Sequence, residues 1–336
     1  MMCVAHPSMA AFDDSSSPQA PPTPARSWEA DAAWHLVLAA AELADDLGDA
    51  RGPVTFAWGE DRRLVEVPAG DEHAVLVWNG GRGWTAQVPH DDPDHSLIEL
   101  YLPICGATQA RPLTVGHLGQ SLDGFIATLT GESRYVTGEE NIVHLHRMRA
   151  LCDAVVVGAG TVAADDPLLT ARHVAGPSPI RVVLDPSRRL GEHYKVFTDG
   201  AVETLYICAR SLARPGETRF GLATVVPIDD RDGVMDVKAV MHLLRARGCH
   251  RIFVEGGGVT VSMFLEANLL DRLQMAIAPL IIGDGRPAIR LKPRPSLSDC
   301  HRPRYRVFRM GGDVLFDCEL GPDDADQARR STLTVG

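Results

Sequence analysis

Residues 154–167 read AVVVGAGTVAADDP, a pattern of strand, turn and short helix. Four consecutive apolar residues over 154–157, three of them β-branched, predict a strand in the middle of a parallel sheet. The glycines at 158 and 160 then predict a tight turn into a helix. That helix must be short, because Asp166 and Pro167 follow within about one turn and both oppose its continuation.

The same glycines match G-x-G-x-x-A, a dinucleotide-binding pattern, and Asp185 ends the next predicted strand. A Rossmann turn, however, opens a long helix and usually opens its domain, whereas this turn precedes residues 165–167 and follows an earlier strand and helix. We therefore expect Gly158 and Gly160 to contact a nucleotide with a geometry other than Rossmann. A tight turn without a ligand is the alternative.

A second glycine cluster, Glu255-Gly256-Gly257-Gly258, follows the apolar run 251–254 and precedes an apolar helical pattern over 259–270. Three consecutive glycines let the backbone approach a ligand closely, and the free N–H groups at a helix start attract phosphate. A flexible turn is the other interpretation. Two glycine-rich strand-to-helix turns in one domain suggest a ligand with more than one phosphate.

From Pro112 onward, buried strands alternate with helices, which predicts an α/β fold with a sheet between helices on both faces. The predicted strands cover 113–118, 154–157, 180–184, 204–207, 252–254 and 273–282, and the helices cover 139–151, 236–247 and 259–270. The segments 305–310 and 314–320 predict an antiparallel hairpin. The sheet is therefore expected to be mixed and mostly parallel.

The rest of the chain divides by composition. Residues 1–26 and 321–336 are expected to be a disordered segment and a flexible tail, because they hold few bulky apolar groups. Residues 27–110 predict a small α+β module that precedes the main domain at 112–320. Its predicted elements are a helix over 27–46 and strands over 54–58, 64–67, 74–78 and 84–88. Its tryptophans are expected to fill a core rather than bind a ligand.

Composition excludes several classes of function. The formal net charge of −11 and the lack of a basic run interleaved with aromatics argue against a nucleic-acid partner. No apolar run approaches the roughly 20 residues that span a bilayer, and the first 26 residues have no apolar signal core. Seven cysteines without CxxC pairs predict reduced thiols and a cytoplasmic location, with no metal site. Asp165 and Asp166 are expected to cap a turn rather than bind a metal.

Isolated arginines are usually solvated, but Arg149 and Arg172 flank the first glycine turn and could clamp a substrate phosphate. The spacing leaves both interpretations open.

A series of ordered motifs resembles one family. The motifs are Ser121-Leu122-Asp123-Gly124, Gly131-Glu132-Ser133, Thr137, His146-Arg147-Met148-Arg149, Gly158-Ala159-Gly160-Thr161, Ala164-Asp165-Asp166-Pro167, Val183-Leu184-Asp185, Val254-Glu255-Gly256-Gly257 and Leu280-Ile281-Ile282-Gly283-Asp284-Gly285. In this order they resemble the pyrimidine reductase of riboflavin biosynthesis, the C-terminal half of a bifunctional deaminase–reductase, over residues 112–320.

The resemblance implies a dihydrofolate-reductase-like fold, a homodimer, and NADPH as hydride donor for an oxidoreductase. The implied reaction reduces the ribosyl group of 5-amino-6-(5-phosphoribosylamino)uracil to the ribitylamino product, with hydride attack at C1′ of the ring-opened imine. The resemblance places Ser133, Arg149, Leu169, Arg172 and Glu255 at the substrate. Glu255 is the candidate for orienting ribosyl hydroxyls or relaying a proton. The implied cofactor contacts are Gly119, Tyr135, Gly158, Gly160, Thr161, Asp165, Ser187, Gly257, Gly258, Val259 and Thr260. The last four belong to a loop that runs from Gly257 to Met263.

The sequence departs from the family pattern at several positions, and these departures change the expected cofactor contacts and activities. Tyr135 replaces a usual tryptophan, and Pro186 replaces a small polar residue, so cofactor contacts are expected from Ser187, Arg188 or Arg189. An arginine there would favour NADPH over NADH. No His-x-Glu followed by Pro-Cys-x-x-Cys occurs in the sequence, so a zinc deaminase is not expected. The alternatives are reduction of the non-deaminated 2,5-diamino-pyrimidinone phosphate, reduction of another heterocycle in a secondary pathway, or a non-catalytic regulator that binds NADPH or a pyrimidine.

Overall fold

The computed structural model describes residues 32–48, 52–60, 63–231 and 234–321. The predicted disordered segment 1–26, the first residues of the predicted helix 27–46 and all but the first residue of the predicted tail 321–336 lie outside the described residues.

The first part of the chain forms two helices and a four-stranded antiparallel sheet of order β2-β1-β3-β4. These elements are α1 (Ala32–Leu47), β1 (Val54–Trp58), β2 (Leu64–Val67), β3 (Ala74–Trp78), β4 (Trp84–Ala86) and α2 (His95–Cys105). We call residues 32–105 the N-terminal module. Trp78 and Trp84 meet edge to face with ring centroids 4.9 Å apart, as expected for aromatics that pack on each other in a core. Trp58, the third tryptophan of the module, is instead 37% exposed at the end of β1, so the prediction that it fills a core is wrong.

A ten-stranded sheet organises the rest of the chain. Its strands are β5 (Leu113–Ser121), β7 (Ala154–Gly158), β8 (Ile180–Leu184), β9 (Thr204–Ala209), β10 (Arg219–Phe220), β11 (Ala223–Ile228), β14 (Arg251–Glu255), β15 (Arg272–Ala278), β17 (Arg304–Met310) and β18 (Asp313–Glu319). The spatial order is β10-β11-β9-β8-β7-β14-β5-β15-β18-β17. In this spatial order, the seven neighbouring strands that begin with β11 and end with β15 are parallel. The strands outside them, β10 on one side and β18 and β17 on the other, pair antiparallel. The predicted mixed, mostly parallel sheet is confirmed.

Two smaller pairs of strands complete the fold, β6 (Phe125–Thr128) with β16 (Gly285–Pro287) and β12 (Asp230–Arg231) with β13 (Val234–Met235). The helices of this part are α3 (Glu139–Leu151), α4 (Ala159–Asp165), α5 (Lys195–Thr198), α6 (Val237–Ala246) and α7 (Gly258–Glu266). Short 3-10 turns occur at Gly80–Arg82, Arg210–Leu212 and Leu297–Asp299.

The sheet is covered on both faces, as the alternation of its strand residues shows. Val155 and Val157 of β7 belong to one hydrophobic cluster, which also holds Met148 of α3, whereas Val156 belongs to a second cluster with Phe264 of α7. Because successive strand residues point to opposite faces, each cluster lies on its own side of the sheet. The helices predicted on both faces are therefore confirmed. The first cluster continues without a break into α1 and α2 of the N-terminal module.

Candidate active site

A cavity of about 890 Å³ lies where the central parallel strands end. Gly158 ends β7 and Glu255 ends β14, which pairs with β7 on one side and β5 on the other. Carboxyl ends of parallel strands share one edge of a sheet, so residues distant in sequence meet there. Twelve of the residues predicted for the site line this cavity: Gly119, Ser133, Gly158, Gly160, Thr161, Asp165, Ser187, Glu255, Gly257, Gly258, Val259 and Thr260.

The two glycine turns lie directly against each other. The backbone N–H of Gly257 donates a hydrogen bond of 2.9 Å to Oγ1 of Thr161, which belongs to the first turn. A Cβ built on Gly158 would lie 2.3 Å from Oγ1 of Thr260, and one built on Gly256 would lie 2.8 Å from Oγ1 of Thr161. Gly256 also has φ of +116°, which a residue with a side chain rarely adopts. Close approach of the two turns therefore requires glycine at these positions.

Glu255, which lines the cavity, forms an ion pair with Arg149. Nε of Arg149 donates to Oε2 of Glu255 at 2.8 Å, and its NH2 group donates to Oε1 at 2.5 Å. The remaining NH1 group donates to the carbonyl oxygen of Thr170 at 3.3 Å. Both charged side chains are buried, and Glu255 lines the cavity whereas Arg149 does not. The bidentate contact fixes the plane of the carboxylate and presents it to the cavity.

Three other predicted residues do not line the cavity. Leu169 has φ of +55° and a fully buried side chain, so only its backbone is available to a ligand. Tyr135 has φ of +63° and is 86% exposed. Arg172 lies close to Arg149, and burial together with that neighbouring positive charge lowers its pKa. Its NH1 group donates to Oγ1 of Thr170 at 3.2 Å.

A family model described as the RibD C-terminal domain matches residues 114–305, more than half of the chain. The chain belongs to the RibD C-terminal domain family. The resemblance inferred from the sequence motifs is thereby confirmed.

Curated relatives agree with this family. The chain is 32% identical over 214 residues to a protein of Methanothermobacter thermautotrophicus named 2,5-diamino-6-ribosylamino-4(3H)-pyrimidinone 5′-phosphate reductase, covering 62% of this chain and 97% of that relative. It is 32% identical over 209 residues to the riboflavin biosynthesis protein RibD of Aquifex aeolicus, covering 62% of this chain but only 58% of that relative. The solved structure of RibD from Acinetobacter baumannii aligns with a TM-score of 0.55 at 18% identity, over 87% of this chain and 99% of that one. The structural likeness supports the fold.

Within this RibD C-terminal domain, two neighbouring arginines of the loop after β8 have different surroundings. Arg188 forms a bidentate ion pair with Glu217, which raises the pKa of its guanidinium, and it lies over the rings of Tyr206 and Phe220. Arg189 lines the cavity beside Gly160 and has no ion-pair or hydrogen-bond partner among the residues that the structure describes. Arg189 is therefore the cation of this loop that is available to a ligand.

Several polar residues of the cavity belong to no motif that marks them in the sequence, namely His117, Asn141, Arg286 and Arg290. Nε2 of His117 lies 3.0 Å from Oδ1 of Asn141, whose amide nitrogen donates to Oγ1 of Thr137. Because the Asn141 oxygen accepts, the imidazole carries its proton on Nε2. Burial lowers the pKa of His117 to about 4, so this side chain is neutral at physiological pH.

The two adjacent aspartates have separate roles. Asp166 ends α4 in a left-handed conformation, and its Oδ1 accepts a hydrogen bond from the backbone of Lys195 at 2.8 Å. Asp165 instead faces the cavity and accepts from Oγ of Ser133 at 3.2 Å. Within the described ranges, no group of three or more histidine, cysteine or acidic side chains could hold a metal ion. In the same ranges, no helix is long and apolar enough to cross a membrane.

Proposed function

We propose that this protein is an NADPH-dependent oxidoreductase of riboflavin biosynthesis. It reduces the ribosyl group of 5-amino-6-(5-phosphoribosylamino)uracil to the ribitylamino product. The proposal rests on one observation in a chain of the RibD C-terminal domain family. Both glycine turns and the buried Glu255–Arg149 pair meet at the same cavity.

The lining of the cavity is suited to the phosphate groups of a dinucleotide cofactor. Gly256 and Gly257 line it immediately before helix α7, and Gly258 is the first residue of that helix. The N–H of Gly257 already donates to Thr161, so the N–H groups proposed to meet a phosphate are those of Gly258 and Val259 in the first turn of α7, which have no acceptor within the helix. A Cβ on Gly257 would meet only Oγ1 of Thr161, at 3.3 Å, so this backbone is open to a ligand. Gly119, Gly158, Gly160, Thr161, Asp165, Ser187, Gly257, Gly258, Val259 and Thr260 are proposed to hold the cofactor, with Tyr135 beside them.

We assign the preference for NADPH to Arg189. A guanidinium is the group best suited to a ribose 2′-phosphate, and a neighbouring hydroxyl at Ser187 adds a hydrogen-bond donor. Arg188 is unsuited to this role because Glu217 already neutralises it. NADH lacks the 2′-phosphate, so the free charge on Arg189 favours NADPH.

The substrate is proposed to lie against Ser133 and Glu255, with the 5-phosphate directed to Arg149 and Arg172 and the backbone of Leu169 alongside. These last three residues do not line the cavity itself, and Arg149 adjoins it through its ion pair with Glu255. A carboxylate has about four lone-pair positions, of which Arg149 occupies two, so Glu255 retains positions that accept hydrogen bonds from ribosyl hydroxyls. Glu255 thereby orients the sugar, and its carboxylate can accept a proton from a ribosyl hydroxyl or return the proton to it. NADPH supplies the hydride, and the protein contributes mainly binding and orientation.

A second candidate substrate is the non-deaminated 2,5-diamino-pyrimidinone phosphate. The match to the archaeal reductase of that name spans 97% of that relative, and no zinc-deaminase signature occurs in this sequence. The homodimer, the cytoplasmic location and the lack of a nucleic-acid partner remain predictions from the sequence.

The proposed function is tested by following absorbance at 340 nm while the unstable aminopyrimidine phosphate is generated in situ from GTP. One reaction includes a separate deaminase and the other omits it. NADPH consumption only with the deaminase supports the uracil substrate, and consumption without it supports the diamino-pyrimidinone. No consumption in either reaction would contradict the proposal.

A further inference from the structure

Helix α1 of the N-terminal module lies against the loop that carries Arg172. The indole Nε1 of Trp34 donates a hydrogen bond of 2.9 Å to the carbonyl oxygen of Ala175, across 141 residues of sequence. Trp34 is 1% exposed, and Ala175 is half-buried. Removing the indole would therefore leave a half-buried carbonyl without this donor, which makes Trp34 an anchor for the loop.

Gly176, beside this anchor, lies close to both α1 and α3. Gly176 has φ of +122°, and a Cβ built there would lie 2.9 Å from Cβ of Ala150 in α3 and 3.2 Å from Cδ2 of Leu38 in α1. The guanidinium of Arg147, also in α3, lies 5.4 Å from the centre of the Trp34 ring. The segment 172–176 thus packs against α1 and the last turns of α3, although Arg172, His173 and Gly176 remain exposed to solvent.

This segment contains one arginine of the predicted phosphate clamp, and α3 contains the other. The backbone N–H of Arg172 donates to Nδ1 of His146 in α3 at 2.9 Å, and the His173 ring meets the His146 ring edge to face at 4.4 Å. Arg149 lies one turn further along the same helix. Any shift of the segment against α3 therefore changes the spacing of the two guanidinium groups.

We propose that Trp34 is a positioning residue for substrate phosphate: α1 holds segment 172–176 against α3 and so sets the distance between Arg172 and Arg149. The inference rests on the proposed function, because it takes these two arginines as the phosphate contacts. It gives the N-terminal module, which lies outside the region matched by the family model, a part in substrate binding.

The test compares Trp34→Phe with Trp78→Phe in the full chain. Trp78 is also fully buried and donates its indole N–H to a backbone carbonyl, that of Gly48 at 3.1 Å, but both groups belong to the module itself. We expect similar losses of thermal stability from the two changes. Only Trp34→Phe should raise KM for the phosphorylated pyrimidine, by roughly tenfold, since misplacing a binding group by about 1 Å can cost up to 100-fold. kcat and KM for NADPH should stay within twofold of wild type.

Two further measurements separate positioning from general damage. In an Arg172→Ala background, Trp34→Phe should raise KM by less than twofold, because the arginine that it positions is gone. Leu38→Ala, which loosens the packing at Gly176 without removing a hydrogen bond, should raise KM in the same direction. Equal KM values for the two tryptophan variants, or a full Trp34→Phe effect in the Arg172→Ala background, would overturn the inference.

Binding of ribose 5-phosphate, measured by calorimetry, keeps this test independent of turnover. Trp34→Phe should weaken binding roughly tenfold relative to wild type and to Trp78→Phe. A wild type that binds the sugar phosphate but does not oxidise NADPH would refute the proposed function while leaving the positioning role supported. A wild type that does not bind it, or equal affinity in the two variants, would refute the positioning role.

Discussion

Replacing Glu255 by Gln should cost both stability and activity, because it removes the negative charge from a buried ion pair. Arg149 and Glu255 are 6% and 8% exposed, and two hydrogen bonds of 2.8 and 2.5 Å join them. In Gln, one of the two carboxylate oxygens becomes an NH2 group that faces a guanidinium N–H. Breaking a buried pair by altering one partner typically costs 3–5 kcal/mol, and because Gln retains one acceptor we expect about 3 kcal/mol.

The assay is urea unfolding at pH 7, followed by tryptophan fluorescence, for wild type, Glu255→Gln, Arg149→Met and the double variant. Each single change should lower the free energy of unfolding by about 3 kcal/mol, and the double variant should lose at least about 1.5 kcal/mol less than the sum. Turnover by Glu255→Gln should fall as well, since the carboxylate also faces the cavity. A single-variant loss below about 1 kcal/mol, with additive effects in the double variant, would refute the structural role of the pair. Full turnover by Glu255→Gln would remove its catalytic role.

Three further predictions concern the glycine turn after β14, the two arginines after β8 and the buried His117. Gly257→Ala should weaken NADPH binding with little loss of stability. Gly258→Ala should impair folding, because a Cβ at Gly258 would lie 2.0 Å from a backbone carbonyl oxygen. Melting curves and NADPH titrations distinguish these two effects. Arg189→Ala should lower the NADPH-to-NADH ratio of kcat/KM by at least about tenfold, and Arg188→Ala should leave that ratio unchanged. Below pH 6.5 the unfolded chain takes up a proton that folded His117 resists until about pH 4. His117 alone should therefore lower the free energy of unfolding by up to about 1.4 kcal/mol per pH unit over that window, and the slope should be smaller by this amount in His117→Asn.

Local sequence patterns predicted the fold well where one physical signal dominated. The helix over 139–151 and the strand over 180–184 have the predicted bounds, because periodicity and flanking turn residues agree there. The predicted strand over 273–282 instead ends at Ala278, where Pro279 follows, and the predicted helix over 259–270 ends at Glu266. Asn268 adopts φ of +54° just after that helix, a conformation that ends helices.

Other elements escaped prediction for identifiable reasons. Helix α2 contains Pro103 and follows a stretch rich in Asp and Pro, so local propensity argues against it, and packing against α1 stabilises it instead. Strand β11 contains Pro227, which is unusual within a sheet. In both cases tertiary contacts outweigh the local preference.

For the candidate site, the sequence predicted which loops meet but not how charges pair. The two glycine turns and Glu255 follow predicted strands, so their convergence could be expected from the sheet alone. The Arg149–Glu255 pair joins side chains 106 residues apart, and only the packing of α3 on β14 determines it. Likewise, nothing in the sequence distinguishes Arg188 from Arg189, because the partner that neutralises Arg188 is 29 residues away.

The most direct test of the central claim is the fate of the hydride. The purified protein is supplied with NADPH deuterated at the transferred position and with the aminopyrimidine phosphate, and the product is analysed by mass spectrometry and NMR. We predict one deuterium in the product, located at C1′ of the ribityl chain. A product without deuterium, or deuterium on the pyrimidine ring, would contradict it.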